Sequence, residues 1–320
     1  MHSKPIVIVP CEFKSVFFEL FFKVLKKKKF KNPLLLICSN KNLKRQMKKY
    51  NFYKKLKLLK VNELSNIKID NRAINLIDIN FNNNFKNPNL NYTKKYYEKC
   101  FSIAFEIIKK GITNKLLNGP INKKKILNKK FNGVTEFISD KFNRKNIGML
   151  IYNKNLSVCP LTTHLPIKLV PKNIKKKQIE IKIKLIDLFY KKILKIKPKI
   201  AVTGLNPHCE SNLKNNEDET IIKPVIKKLK KNGLKISGPF PADTIFLRQN
   251  RKKYNVVLGM YHDQVLTPLK TLYEYDAVNI TMGLPFLRVS PDHGPNEKMV
   301  NKNLSNPLSL TRALEFLDQN

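Results

Sequence analysis

Val256-Val257-Leu258-Gly259-Met260-Tyr261-His262-Asp263-Gln264 sets an uncharged apolar run against a histidine with polar neighbours. Val256 to Met260 suits a strand buried on both faces, which is how strands read in a parallel α/β sheet. The histidine falls where that strand ends, and open α/β sheets bind their ligands beyond the carboxyl ends of their strands. The same pattern recurs twice upstream. Leu156 to Leu161 leads into Thr162-Thr163-His164-Leu165-Pro166, and Ile200 to Val202 leads into Gly204-Leu205-Asn206-Pro207-His208. Three imidazoles with one open position are the usual protein share of a catalytic divalent-metal site. Of five histidines in all, the other two are His2 at the terminus and His293 in Ser290-Pro291-Asp292-His293-Gly294. The sequence therefore points to a metal-dependent enzyme.

The rest of the chain alternates strands with helices. Ile6 to Val9 reads as a first buried strand, followed by a helix from about Ser15, whose hydroxyl suits an N-cap. Leu34 to Cys38 reads as a second strand. Tyr96, Cys100, Ile103 and Ile107 recur at helical spacing within Tyr92 to Lys110, and Gly111 stops that helix. A long helix is expected from about Lys175 to Leu194, and Pro198 announces the strand ending at Gly204. Glu219 to Lys231 reads as a helix closed by Gly233, and Asn306-Pro307 opens a last one to about Leu317. This alternation implies a mainly parallel sheet with helices on both faces. Asn82 to Asn91 and Lys141 to Asn146 are polar enough to be loops or boundaries. There is no internal repeat, no G-x-G-x-x-G and no Walker lysine motif, so a standard Rossmann or P-loop site has no local support.

At 320 residues and 42% hydrophobic, the chain is long enough for one large domain or two linked ones. A net charge of +40 would ordinarily suggest nucleic acid as a partner. Only seven of the 63 basic residues are arginine, however, and the abundance of Lys, Asn, Ile, Phe and Tyr looks like drift toward AT-rich codons. Nucleic-acid readers interleave arginine with aromatic residues, and runs such as Lys26 to Lys29 and Lys175 to Lys177 read instead as solvated surface. A basic field of this size favours anionic, phosphorylated small substrates. Five cysteines, Cys11, Cys38, Cys100, Cys159 and Cys209, show no C-x-x-C spacing and read mostly as small core residues. Cys209 stands next to His208, which leaves proximity to a metal as its other reading. Pro5 to Pro10 is too short for a signal peptide, and Phe17 to Leu25 contains Glu19 and Lys23, so it reads as a helix and not a membrane span. A cytoplasmic protein without membrane or nucleic-acid partners is expected.

Read in order, further segments carry a resemblance. They are Asn118-Gly119-Pro120-Ile121-Asn122-Lys123, Gly133-Val134-Thr135-Glu136-Phe137, the three histidine motifs and Gly238-Pro239-Phe240-Pro241-Ala242-Asp243-Thr244. Val278-Asn279, Gly283-Leu284-Pro285, Arg288 and Asp292-His293-Gly294 complete the series. From about residue 115 to the C-terminus the chain resembles the 4-hydroxythreonine-4-phosphate dehydrogenase family. Short matches are weak singly, but this many in sequence order are specific.

The resemblance implies the α/β/α fold of isocitrate- and isopropylmalate-type dehydrogenases. On that reading residues 1–320 form a single dehydrogenase unit of two interleaved α/β subdomains, with the site in the cleft. It further implies a homodimer with metal sites at the interface. The implied reaction is metal- and NAD-dependent oxidation of 4-phosphooxy-L-threonine to 2-amino-3-oxo-4-phosphooxybutanoate. That product decarboxylates to 3-amino-2-oxopropyl phosphate in pyridoxal 5'-phosphate biosynthesis. Carried over by motif, the metal ligands are His164, His208 and His262, holding Zn, Mg or Co. Substrate contacts are Thr135, Lys270, Asn279 and Arg288. Arg288 would clamp phosphate or carboxylate bidentately and Lys270 as a point charge. Asp243 and Asp263 are candidates to orient an imidazole or shuttle a proton, and Asp243 has a turn cap as its other reading. His293, Gly294 and Asn306 resemble the adenosine-binding loop of the β-decarboxylating dehydrogenases, for NAD or NADP. Asn306 is alternatively an N-cap of the last helix.

Two departures from the family pattern stand out. Val134 occupies the place of a histidine that contacts substrate in relatives, a loss of about 1–3 kcal/mol where a buried polar partner is left unmatched. Cys11-Glu12-Phe13-Lys14-Ser15 replaces a Gly-Glu/Asp-Pro turn, removing both turn residues. These changes keep open a second substrate, a phosphorylated four-carbon sugar acid of the threonate or erythronate type. They also keep open a non-catalytic, RNA-binding descendant of the scaffold.

Overall fold

The computed structural model describes residues 4–10, 12–81, 85, 89–121, 133–210 and 216–320. His2, Cys11 and the Asn122-Lys123 end of one motif lie outside the described residues. The chain divides into two compact units, residues 1–143 with 284–320, and residues 144–283.

Unit 1 opens with β1 (Ile6–Val9), α1 (Phe17–Lys27), β2 (Leu34–Cys38), α2 (Asn40–Lys49), β3 (Leu56–Leu58), β4 (Ile74–Asp78), α3 (Leu90–Lys109), β5 (Lys115–Asn118) and α4 (Val134–Lys141). Every residue of β1, β2 and β5 is buried, as expected of strands covered on both faces. Ser15 Oγ accepts from the Phe17 amide at 3.3 Å, so the expected hydroxyl cap sits just outside α1. Helix α3 begins at Leu90, inside the stretch expected to be a loop, because Asn89 accepts from the Asn91 and Tyr92 amides and caps it. It ends where Gly111 takes φ +71°.

Unit 2 follows with β6 (Gly148–Tyr152), β7 (Ser157–Thr162), α5 (Lys176–Phe189), β8 (Ile200–Thr203), α6 (Lys223–Lys231), β9 (Ile236–Phe240), β10 (Val256–Tyr261), α7 (His262–Tyr273) and β11 (Val278–Met282). The helix expected to Leu194 is α5 only to Phe189, and its last residues, Tyr190–Leu194, widen into a π turn that ends at Lys195 with φ +60°. Likewise Asp218–Ile222 is a π turn leading into α6. Strands β7, β10, β8 and β9 lie side by side and parallel, whereas β6 runs antiparallel to both β7 and β11. One strand is thus reversed in an otherwise parallel set.

Unit 1 is completed by β12 (Leu287–Pro291) and α8 (Leu308–Gln319). Its strands run in the order β3-β4-β2-β1-β5-β12, all parallel. Val7, Val9, Leu35 and Ile37 on one face of this sheet join the α3 residues Tyr96, Tyr97, Cys100, Phe101 and Ala104 in one core. Cys38, Cys100, Cys159 and Cys209 are all buried free thiols, in keeping with their reading as core residues. Among the described residues no helix is long and apolar enough to cross a membrane.

Candidate active site

Strand register brings the histidine motifs of unit 2 to one edge. Tyr261 of β10 pairs with Thr162 of β7, and Leu258 pairs with Val202 of β8, so the three parallel strands finish within two residues of one another. His262 follows Tyr261 directly and starts α7, His164 comes two residues after Thr162, and His208 lies in the turn Pro207–Cys209 beyond β8. Strand β9 finishes beside β8 and leads into the short helical turn Ala242–Ile245, which carries Asp243. Four neighbouring strand ends therefore each present one of the expected residues. The rings of His164 and His262 stand 6.0 Å apart, centroid to centroid. His164 and His208 adopt φ of 55° and 58°. Residues with side chains rarely take this left-handed backbone except where the surroundings enforce it, and such positions cluster at functional sites.

A set of part-buried hydrogen bonds holds the backbone just before His208 and just before His262. Gln264 Oε1 accepts from the Met260 amide and from Thr203 Oγ1, both at 2.7 Å, while its Nε2 donates to the Gly204 carbonyl at 2.8 Å. One side chain thereby ties the end of β10 to the end of β8. Asp218, fully buried, accepts from the amides of Leu205 and Asn206 and from Asn206 Nδ2, at 2.8–3.1 Å. Gly204 fits because a Cβ there would lie 2.7 Å from Asp218 Oδ1 and 2.8 Å from Cys209 Sγ. Cys209 points inward, and burial pushes its thiol pKa up. On the exposed side, Asp263 Oδ1 lies 2.6 Å from His262 Nδ1, the arrangement by which a carboxylate orients an imidazole. Asp243 is exposed, Lys270 is half-buried on α7, and Asn279 of β11 has a buried Oδ1 with no hydrogen-bond partner among the described residues.

In unit 1 the expected pair Thr135 and Arg288 does meet. Arg288 on β12 is 3% exposed, its Nε donating to Asn118 Oδ1 at 2.7 Å and its Nη1 to Thr135 Oγ1 at 3.4 Å. Asn118 closes β5, the strand paired with β12, and its Nδ2 donates to the Gly119 carbonyl at 2.9 Å, which fixes the direction of its Oδ1. Gly119 itself admits no side chain, since a Cβ would come within 2.1 Å of the Pro10 carbonyl oxygen. Beyond β12, His293 Nδ1 lies 2.8 Å from the Gly294 carbonyl, and the Asp292 amide donates to Ser309 Oγ at 2.8 Å. Asn306 Oδ1 accepts from the Leu308 amide at 2.9 Å, so it caps the start of α8 whatever else it does.

The family described as pyridoxal phosphate biosynthetic protein PdxA matches residues 29–317. The chain belongs to this family. Among relatives of this PdxA chain, a 4-hydroxythreonine-4-phosphate dehydrogenase of Sulfurihydrogenibium sp. (strain YO3AOP1) is 42% identical over 205 residues, 63% of each chain. D-threonate 4-phosphate dehydrogenase of Salmonella typhimurium (strain LT2) is 35% identical over 199 residues, 61% of each. These matches span less than two thirds of the curated relatives' length. The crystal structure of 4-hydroxythreonine-4-phosphate dehydrogenase from Klebsiella pneumoniae superposes with a TM-score of 0.83 at 25% identity, covering 98% of both chains. The fold expected from the motifs, that of the isocitrate- and isopropylmalate-type dehydrogenases, is therefore the fold of this PdxA protein.

The histidine edge suits a divalent ion in its donors more than in its present closure. Two imidazoles on one tetrahedral ion have centroids about 5 Å apart, against 6.0 Å for His164 and His262. Among the described residues no set of three or more His, Cys, Asp or Glu side chains converges to hold an ion, so His208 is not drawn into a cluster with the other two. The donor chemistry fits a metal, and the register delivers it to one edge. Sequence reasoning overlooked the residues that hold this PdxA site together. Gln264 and Asn118 stood within quoted motifs without a role. Asp218 had a usable signal, an acidic run Glu217-Asp218-Glu219 in a very basic chain. Val134, which stands for the family histidine, packs against the apolar core of unit 1.

Proposed function

We propose that this chain is a cytoplasmic, homodimeric dehydrogenase that oxidises the secondary alcohol of 4-phosphooxy-L-threonine, giving a β-keto acid that loses carbon dioxide. The observation that carries the reading is the set of histidine-bearing strand ends in unit 2 of a PdxA-family chain. His164, His208 and His262 would hold a divalent ion. That ion would supply polarisation of the substrate hydroxyl and of the carbonyl, and a bound NAD or NADP would serve as the hydride acceptor. Asp263 holds the His262 ring through Nδ1, so that Nε2 is the free ligating atom. Asp243, exposed at the neighbouring strand end, is the candidate acceptor of the hydroxyl proton. Arg288, aimed by Asn118, presents its guanidinium to phosphate or carboxylate, with Lys270 as a second positive charge. Thr135 and the unpartnered Oδ1 of Asn279 supply neutral hydrogen bonds. The segment around His293, Gly294 and Asn306 receives the dinucleotide.

A second reading, oxidation of a phosphorylated four-carbon hydroxy acid, is supported by the D-threonate relative and by Val134, which removes one polar group from the substrate side. NADH formation decides between them. Turnover of 4-phosphooxy-L-threonine that depends on added divalent metal and exceeds turnover of 4-phosphothreonate supports the first substrate. The reverse preference selects the second, and no turnover of either by folded, metal-binding protein overturns both.

A further inference from the structure

Helix α1 carries two charges in an apolar stretch, Phe17-Phe18-Glu19-Leu20-Phe21-Phe22-Lys23-Val24-Leu25. Glu19 is 1% exposed and sits 2.8 Å from Lys23 Nζ one turn later. A buried carboxylate is costly unless further hydrogen bonds compensate it; here Oε2 has no partner among the described residues, and the bonds that Oε1 and Lys23 make beyond the helix all run to one segment. Glu19 Oε1 also accepts from the Ser305 amide at 2.8 Å. Lys23 Nζ donates to the carbonyls of Asn303 at 2.8 Å and Ser305 at 3.0 Å. At the start of the helix, the Val16 amide donates to the Pro295 carbonyl at 3.2 Å. Helix α1 thus grips both ends of residues 295–305, the stretch that joins His293-Gly294 to Asn306. That stretch has little regular structure of its own beyond the turn Glu297–Met299, and Asn296, Asn301 and Asn303 take φ of 52°, 79° and 55°. A segment of this kind keeps its shape through outside partners.

We propose that the Glu19–Lys23 pair is a positioning element for dinucleotide binding. It fixes the backbone of Asn303 to Ser305 so that His293, Gly294 and Asn306 are already arranged for the adenosine end of the cofactor. The inference rests on the reading of residues 293–306 as the cofactor segment, given under the proposed function. Pre-arranging a loop raises affinity by removing the ordering cost from the binding step. The pair itself touches no ligand.

The test uses the full chain with NADH as the probe, read by its fluorescence, alongside steady-state kinetics and melting temperature. Glu19→Gln keeps an acceptor for Ser305 but removes the charge that holds Lys23, and Lys23→Met removes the donor to the loop. Both variants are expected to weaken NADH binding about tenfold, with kcat at saturating dinucleotide and KM for the phosphorylated substrate nearly unchanged. Lys23→Arg is expected to restore affinity. If either single variant fails to fold, the double variant Glu19→Gln/Lys23→Met, which buries no unpaired charge, takes its place with the same expectation. Folded variants that melt earlier yet bind NADH as tightly as the unaltered chain would show the pair to be structural only. If the unaltered chain binds no NADH at all, the cofactor reading itself falls, and the role of the pair with it.

Discussion

His164 and His262 owe their nearness to strand register, whereas Arg288 owes its aim to a hydrogen bond that spans 170 residues of chain. The first arrangement is fixed by backbone pairing along β7 and β10, so a change of side chain there should leave the neighbouring loops in place. The second depends on side-chain hydrogen bonds to Asn118 and Thr135, with Asn118 turned the right way by its own bond to Gly119. Sites set by register should lose chemistry when a ligand is removed but keep their shape. Sites set by side-chain hydrogen bonds should lose affinity by degrees.

The largest expected effect is at the register-built edge. His262→Ala or His164→Ala should lower kcat by about a thousandfold, since metal polarisation contributes several kcal/mol and about 4 kcal/mol corresponds to that factor. Circular dichroism and the urea midpoint should hardly move. Unchanged turnover in either variant would remove the histidine edge from the chemistry. A loss of stability to match would show that these loops are not held by register after all.

Asp218 probes what lies beneath that edge. Asp218→Ala takes the acceptor from two backbone amides and from Asn206 Nδ2 at once, and is expected to cost about 3 kcal/mol in urea unfolding. Asp218→Asn retains one acceptor oxygen and should cost less. Equal losses would mean that the negative charge, and not the hydrogen-bond geometry, holds the loop.

Arg288→Lys tests the other kind of site. The lysine keeps the charge but lacks the fork that reaches Asn118 and Thr135 together, so KM for the phosphorylated substrate should rise about tenfold, near 1.4 kcal/mol, with a smaller change in kcat. Asn118→Ala should move KM in the same direction. If Asn118→Ala leaves KM where it was, Arg288 is aimed by its surroundings as a whole, and the contrast between the two sites weakens.

The same contrast explains what was legible in the sequence. Val256 to Met260 and Leu156 to Leu161 announce themselves as buried strands by composition, and their parallel pairing puts the histidines that follow them at one edge. Gln264 and Asp218 were not legible in this way, because a side chain's partners depend on which loops meet it, and periodicity says nothing of that. The widening of α5 at Tyr190 was also invisible, since a π turn continues the apolar pattern of the helix it ends. The altered turn after β1 is the sharpest case. Phe13 stands near where the family pattern has proline. Its ring stacks on Tyr96 at 5.1 Å, and its amide, which proline would lack, donates to Tyr97 Oη at 2.9 Å. An aromatic cluster stabilises the segment in place of a turn motif, and only the packing of α3 against it reveals that.

The smallest effect at neutral pH concerns one buried thiol in each unit. Burial pushes Cys100 of unit 1 up to about 12 and Cys159 of unit 2 up to about 11, against an ordinary value of 9.0. In the folded chain both thiols keep their protons where the unfolded chain has released them. Above pH 9 the unfolded state therefore binds fewer protons, and stability falls as pH rises; below pH 9 the stabilisation is fully present. The many lysines titrate in the same alkaline range and relieve charge repulsion, so the raw pH profile mixes the two effects. Comparing the unaltered chain with Cys159→Ala and Cys100→Ala separates them, because the lysines are common to all three. The advantage of the unaltered chain over each variant should be constant from pH 7 to 8.5 and shrink beyond pH 9, over a wider range for Cys100 than for Cys159. A difference that stays flat to pH 11 would mean that water reaches the thiol in question, and that its unit opens more readily than the packing around its strands and helices implies.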